Sequence, residues 1–286
     1  MTATTHAGVR MQDVRAGEHR LRVHTAGDPG NPAVLLVHGS GPGVSALSNW
    51  EHLLPVLADE FYCIAPDVLG FGDSEHPDPE PTGGMPEYTE LRARSMVALL
   101  DALEVGTAHF VGNSMGGMIS LRVAQLAPER IDRLILMGSG GAPIPPTDDL
   151  MKLITFYQDP SVDAMADLLP RFVYDQGMFA GRLAEIAEDR YAKASRPEVR
   201  RSHLATFNPE VPPVSYSPEE LAAIPHETLV IHGRDDRMIP VAAGCYMAEH
   251  LPDAELHVLP RAGHWIQIER ADRFASLARD FLSSGS

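Results

Sequence analysis

The chain of 286 residues is short of cysteine, of basic side chains and of long apolar runs. Its two cysteines, Cys63 and Cys245, are too few for the disulfide framework that staples small secreted folds. Cys63 lies in the apolar run "YCIAPDV", where a cysteine serves as a small buried apolar side chain. Lys and Arg number 23 against 39 Asp and Glu, a net charge of −16. That balance excludes nucleic acid as a partner, because phosphate binding needs a basic patch. It also argues against docking on an acidic membrane surface, and it reads as a solvated exterior that keeps the chain in solution. No stretch approaches the ~20 apolar residues of a membrane span. The N-terminus, "MTATTHAGVRMQDV", has no apolar segment of signal-peptide length, so a cytoplasmic protein is expected. No pair of His or Cys stands at zinc-ligand spacing beside a carboxylate, so no metal is implied. Internal repeats and low-complexity tracts are absent.

What is present is alternation. Short apolar runs at Ala33 to Gly39, Tyr62 to Val68, Ala108 to Ser114, Arg133 to Ser139, Glu227 to Gly233 and Ala254 to Pro260 read as strands. Most are continuously apolar, the pattern of strands buried on both faces of a parallel sheet. Helix-like stretches lie between them. Tyr88 to Leu103 puts Leu91, Ser95, Leu99 and Leu103 on one face, "MGGMISLRVAQLAPE" follows Ser114, and Ala271 to Leu282 closes the chain. Strand–helix alternation predicts a parallel sheet with helices on both sides. The first two strand-like pieces, "MQDVRAG" and "HRLRVHTAG", are separated by a short turn and predict an antiparallel hairpin on the sheet edge. The rhythm breaks from Gly141 to Tyr216, where Pro-rich edges enclose helical patterns. The expected division is therefore a core of residues 1–140 and 217–286 and an inserted helical cap of residues 141–216.

The stretch "HFVGNSMGGM" carries the chemistry. A strand, then Gly-x-Ser-x-Gly, then a helix is the setting of a nucleophile elbow. Gly112 and Gly116 lack the Cβ atoms that would clash where strand and helix nearly touch. The turn lifts the Ser114 hydroxyl above the sheet and points the free N–H groups of the helix start at the same spot. A serine needs a base to take its proton, and in this arrangement the acid and the histidine follow the serine in the chain. "PRAGHWIQIE" offers His264 as base. "VIHGRDDRMIP" offers Asp236 or Asp235 to hold its imidazole; Asp236, four residues before Pro240, is preferred, with Asp235 facing solvent or capping the turn. His38, His232 and His257 lie in or beside strands and read as structural. The glycine-rich turn in "VHGSGPGVSALSNW" can supply the backbone N–H of Ser40 or Gly41, paired with that of Met115, as the oxyanion hole that acyl transfer requires.

Taken together, "HGSGPGVSALSNW", "VGNSMGG", "HGRDDRMIP" and "GHWIQIE" resemble the meta-cleavage product hydrolases, from about Val34 to Leu282 and less closely across the cap. The resemblance implies an α/β-hydrolase fold: a mostly parallel eight-stranded sheet with helices on both faces and an inserted helical cap. It implies a triad of Ser114, Asp236 and His264 with Ser40, Gly41 and Met115 at the oxyanion hole, and a substrate held at its dienoate end by Asn49, Asn113, Arg190 and Trp265. Arg190 has chemistry behind it, since an anion entering an acidic protein needs a local fork of donors. Its alternative is a solvated helix arginine paired with Asp189 or Glu185. The implied activity is a serine-dependent hydrolase that cuts the carbon–carbon bond of a 2-hydroxy-6-oxohexa-2,4-dienoate-type ring-fission product in aromatic degradation. It needs no cofactor, because the substrate itself holds the electrons. The implied partners are this anionic small molecule and further copies of the chain. A carboxylesterase or lactonase with the same triad, and a slow-turnover receptor on a hydrolase scaffold, are the competing readings. Phe156, Tyr157, Phe172, Tyr174, Met178 and Phe179 are candidate roof residues over the acyl side.

Overall fold

The apolar runs assemble into one eight-stranded sheet in the computed structural model, which describes residues 8–284; residues 1–7, part of the N-terminus considered above, lie outside the described residues. The strands are β1 (Arg10–Ala16), β2 (His19–Ala26), β3 (Ala33–Val37), β4 (Tyr62–Pro66), β5 (Ala108–Asn113), β6 (Ile131–Met137), β7 (Thr228–Gly233) and β8 (Ala254–Leu259). Their order is β1-β2-β4-β3-β5-β6-β7-β8. β1 and β2 form the expected antiparallel hairpin at one edge, with Ala16 opposite His19, and β2 runs antiparallel to β4. From β4 through β3 to β8 every pairing is parallel.

Helices cover both faces, so consecutive residues of a central strand enter different cores. Leu35 and Val37 of β3 pack with α3 (Gly84–Ala102) and α4 (Met115–Leu126). Val34 and Leu36 pack with α1 (Ala46–Trp50), α2 (Leu54–Leu57) and the C-terminal helix. This two-sided burial is why the runs are continuously apolar. β8 departs from that pattern. It is the far edge strand, with Glu255 and Val258 exposed, so burial on both faces does not extend to it. α3 also departs from expectation. It starts at Gly84 and buries Tyr88, Arg92, Ser95, Met96, Leu99 and Leu100, while Leu91 and Leu103 stay partly exposed. The buried face keeps Ser95 and Leu99 of the expected stripe but takes in the Arg92 guanidinium, which finds its partners inside the protein.

Between β6 and β7, up to Tyr216, the described residues contain no strand. They hold α5 (Asp148–Ile154), α6 (Val162–Leu168), α7 (Leu183–Ala194) and α8 (Pro197–Thr206). Thr147 and Ser161 cap α5 and α6 through their hydroxyls, and Pro197 opens α8 where its missing N–H costs nothing. These helices share an apolar cluster of their own around Leu153, Phe156, Met165 and Phe172, to which Met238 and Trp265 are joined from the sheet side. The chain then returns through α9 (Pro218–Ala222), α10 (Val241–His250), α11 (Ile266–Glu269) and α12 (Ala271–Ser283).

Candidate active site

β5 runs into Ser114, whose φ of 54° and ψ of −114° lie in a region that side-chain-bearing residues rarely enter. The neighbours hold it there. Its N–H donates to the Met137 carbonyl at 3.0 Å, and its own carbonyl accepts from Gly117 N at 3.1 Å and Gly140 N at 3.2 Å. The glycine spacing follows from contact: a Cβ on Gly116 would collide with the Val37 carbonyl of β3, and one on Gly112 with the Gly116 backbone. Met115 opens α4, so its N–H belongs to the unpaired donors of the helix start.

His264 lies between β8 and α11, and its Nδ1 stands 2.7 Å from Asp236 Oδ2. Asp236 Oδ1 accepts from the amides of Met238 at 2.8 Å and Ile239 at 2.9 Å. An ionised carboxylate only accepts, so Nδ1 carries the proton and Nε2 is left as the base. Asp235 instead accepts from Arg261 N at 2.9 Å and closes the adjacent turn. Gly138, with φ of 51°, makes room for the pair: a Cβ there would lie 3.1 Å from His264 Nδ1 and 3.3 Å from Asp236 Oδ2. Among the described residues no hydrogen bond joins Ser114 Oγ to His264; such contacts are often long in unliganded sites and tighten with substrate.

The loop after β3 approaches the serine from the other side. His38 Nε2 accepts from Val68 N at 2.9 Å, which leaves the proton on Nδ1 to donate to the Gly39 carbonyl at 2.7 Å. Burial pulls this imidazole down to a pKa of about 4, so it is neutral and structural. At Gly39 a Cβ would sit 3.1 Å from Ser114 Cβ, which brings the following turn against the nucleophile. Among the described residues the amides of Ser40 and Gly41 donate to no protein acceptor.

The expected substrate-side residues gather at the same place. Asn49 Nδ2 donates to Asn113 Oδ1 at 3.0 Å, and Asn113 Nδ2 to the Met137 carbonyl at 3.2 Å. Asp67, missed in the sequence, fixes Asn49 indirectly by accepting from Ala46 N at the start of α1, 2.7 Å away; burial raises its pKa to about 6. Arg190 projects from α7, and its Nε donates to the Pro42 carbonyl at 2.7 Å. Neither suspected acidic partner takes it. Asp189 pairs with Lys193 at 2.7 Å and Glu185 with Arg182 at 3.0 Å. The residue is half-buried, and desolvation lowers its pKa to about 10. Its Nη2 lies 3.7 Å from where a Gly41 Cβ would be, and its two terminal nitrogens have no acceptor among the described residues. Trp265 stacks on Phe172, centroids 4.7 Å apart and planes at 16°.

Of the candidate roof residues, Phe172 meets the site, and its carbonyl accepts from His264 N at 2.7 Å. Phe156, Tyr157 and Phe179 belong to the apolar cluster of the helical segment. Tyr174, 49% exposed, and Met178, 37% exposed, are not roof residues. The chain turns outward there because Glu269 holds the amides of Tyr174 at 2.7 Å and Asp175 at 3.1 Å while also accepting from Gly263 N at 2.7 Å. In the sequence Glu269 reads as one more surface acid. A cavity of about 460 Å3 near Ala124, Gln125, Glu219 and Glu220 shares no residue with this site. Among the described residues no group of three His, Cys, Asp or Glu side chains could hold a metal ion.

Residues 32–271 match the α/β hydrolase fold family. The chain is 40% identical over 277 residues to a 2-hydroxymuconate semialdehyde hydrolase of Pseudomonas sp. (strain CF600), with 95% of this chain and 93% of that one covered. It is 34% identical to a 2-hydroxy-6-oxo-6-phenylhexa-2,4-dienoate hydrolase of Burkholderia cepacia, with 99% and 98% covered. Among solved structures it superposes on a 2-hydroxy-6-oxo-6-phenylhexa-2,4-dienoate hydrolase from Rhodococcus sp. strain RHA1 with a TM-score of 0.92 at 38% identity, over 96% of this chain and 99% of that one. A meta-cleavage product hydrolase from Pseudomonas fluorescens IP01 gives a TM-score of 0.87 at 33% identity, over 96% and 98%. With its strand order and the strained Ser114 elbow, this likeness along nearly the whole chain makes it a member of the meta-cleavage product hydrolases of the α/β-hydrolase fold family.

Proposed function

We propose that the chain hydrolyses the carbon–carbon bond of 2-hydroxy-6-oxohexa-2,4-dienoate-type ring-fission products, with Ser114 as nucleophile, His264 as base and Asp236 as its partner. The observation that carries the dienoate assignment is Arg190. A half-buried cation with two unengaged nitrogens beside the Gly41 turn is suited to a carboxylate, and a simple ester would leave it without a role. The substrate carboxylate binds at Arg190, with Asn49, Asn113 and Trp265 along the dienoate. The 2-enol shifts to the 2-keto form, so the bond to be broken gains an electron sink. Ser114, its proton passing to His264 Nε2, attacks the C6 ketone. The oxyanion is met by the amides of Met115 and of Ser40 or Gly41. The proton that the 2-enol gave to C5 in the keto shift stays there; when the tetrahedral centre collapses, the C5–C6 electron pair passes into the dienolate, and its 2-oxygen takes the proton back from His264. The products are 2-hydroxypenta-2,4-dienoate and an acyl-enzyme, which water activated by His264 releases as the free acid.

Residues 141–216 act as the cap over this site, seated on the histidine loop through Phe172. The reading extends to a cytoplasmic homo-oligomer, which rests on the family resemblance and on a composition poor in cysteine. Among the described residues no helix is long and apolar enough to cross a membrane. The test is turnover of dienoates with graded acyl tails, followed by loss of their yellow absorbance, against a p-nitrophenyl ester. Ser114→Ala should abolish dienoate turnover while retaining binding. Full hydrolysis by that variant, or a marked preference of the wild type for the ester, defeats the proposal.

A further inference from the structure

Arg92 is the most buried charge in the core, 0% exposed, and among the described residues no carboxylate forms an ion pair with it. Its guanidinium is held on every side. Nε donates to the Leu69 carbonyl at 3.0 Å and Nη2 to Thr206 Oγ1 on α8 at 2.9 Å. The rings of Tyr88 and Phe71 lie 4.3 and 4.8 Å from its central carbon. The remaining arm, Nη1, reaches Met115 Sδ at 3.3 Å.

An unpaired buried cation is costly, and an apolar side chain of similar volume is often no less stable in its place. Desolvation depresses the Arg92 pKa to about 9, yet the group is still cationic at neutral pH. Its location makes sense of it. Met115 directly follows the nucleophile, and its backbone N–H is the oxyanion donor of the cycle above. We propose that Arg92 is a positioning residue for the oxyanion hole. It grips the Met115 side chain, fixes the first residue of α4, and places a positive charge, offset only at a distance by Glu80, behind the elbow where negative charge develops. Gly70 leaves space for this arrangement, since a Cβ there would lie 3.3 Å from Arg92 Nη2. The same guanidinium holds Thr206, so a cap tether is the competing role.

This inference rests on the reading of Ser114 and Met115 given above, and the experiment separates the two. Steady-state kinetics on a dienoate are compared for Arg92→Met, Arg92→Lys, Thr206→Val and Ser114→Ala, with folding checked by circular dichroism. Arg92→Met should lower kcat about 10-fold or more, less than loss of an oxyanion donor itself, with KM within about 3-fold because Arg92 does not touch the substrate. Arg92→Lys keeps the charge but not the planar fork, and its kcat should fall between Arg92→Met and wild type. Thr206→Val removes the tether and should keep kcat within about twofold, a change below ~0.5 kcal/mol in the barrier. Wild-type kcat in Arg92→Met beside a dead Ser114→Ala overturns the role of Arg92 alone. So does an equal loss in Thr206→Val, which would make the tether the whole effect. If Arg92→Met does not fold, Arg92→Lys decides: reduced kcat at constant KM supports the role, and wild-type kcat overturns it. Turnover by Ser114→Ala would instead bring down the underlying site reading.

Discussion

Mild acid should loosen the loop that carries the amides proposed for the oxyanion hole, and His38 sets the size of the effect. Its imidazole is fully buried and neutral, accepting from Val68 N and donating to the Gly39 carbonyl. Burial is the main cause of its low pKa, and the cations Arg92 and Arg190 push the same way. A protonated ring would set an Nε2–H against the Val68 N–H. The folded-state pKa of about 4 lies below the ordinary histidine value of 6.5, so below pH 6.5 the unfolded chain binds a proton that the folded chain does not. The stabilisation is therefore complete above pH 6.5 and is lost as pH falls towards 4. At pH 5 about 1.5 units of that gap have been crossed, a loss of about 2 kcal/mol at 1.36 kcal/mol per unit. His203, held to about 4 by burial as well, contributes a similar loss. His38→Gln keeps an acceptor for Val68 N but does not titrate. Urea unfolding from pH 7.5 to 5 should show the wild type's advantage over this variant shrinking by about 2 kcal/mol. Parallel stability curves for the two proteins would refute the neutral-imidazole account.

Arg190→Met should raise KM for a dienoate by about 10-fold or more, since a charge-assisted bidentate contact is lost, and leave hydrolysis of a p-nitrophenyl ester nearly unchanged; paired kinetics on the two substrates check it. Asp236→Asn should lower kcat by about 10³–10⁴ through the wrong imidazole tautomer, while Asp235→Asn, away from His264, stays within a few-fold; single-turnover rates distinguish them. Gly116→Ala should fail to accumulate as folded protein, because its methyl would occupy the place of the Val37 carbonyl; a soluble, active variant would show that β3 can yield at the elbow.

The site was legible where its determinants are local or ordered along the chain. Gly112, Ser114 and Gly116 are readable because strand, turn and helix touch within five residues, and His264 and Asp236 because acid and base follow the serine in sequence. The choice of Asp236 over Asp235 is a matter of which carboxylate the turn aims inward, and the Met238 and Ile239 amides do the aiming. Legibility failed where a polar group pairs with something distant. Arg92 reads as a surface charge on α3 until the Leu69 carbonyl, Met115 and Thr206 are brought to it. Glu269 reads as a solvated acid until the 174–175 amides arrive from the helical segment. Gly138 reads as the end of a strand until His264 and Asp236 come to lie over it. Tyr174 and Met178 misled in the opposite sense: aromatic or long apolar side chains in a helical insertion suggest a roof, but backbone bonds to Glu269 turn that stretch to solvent.

The charge of the whole molecule and the charge of its site oppose each other, and this has a kinetic consequence. A net charge of −16 surrounds a site proposed to bind an anion at Arg190. At 0.01 M ionic strength the Debye length is about 30 Å, long enough for the whole acidic surface to repel an approaching carboxylate. At 0.15 M it is about 8 Å, and most of that repulsion is gone. Arg190 is half-buried, so its attraction at contact is screened less than that of a surface charge. Raising salt over this range should therefore increase kcat/KM for a dienoate, through the association step, while kcat stays constant. A neutral p-nitrophenyl ester should show no such rise. If kcat/KM for the dienoate fell with salt instead, a positive funnel would have to extend well beyond Arg190, and the acidic exterior would not be the field that the substrate crosses.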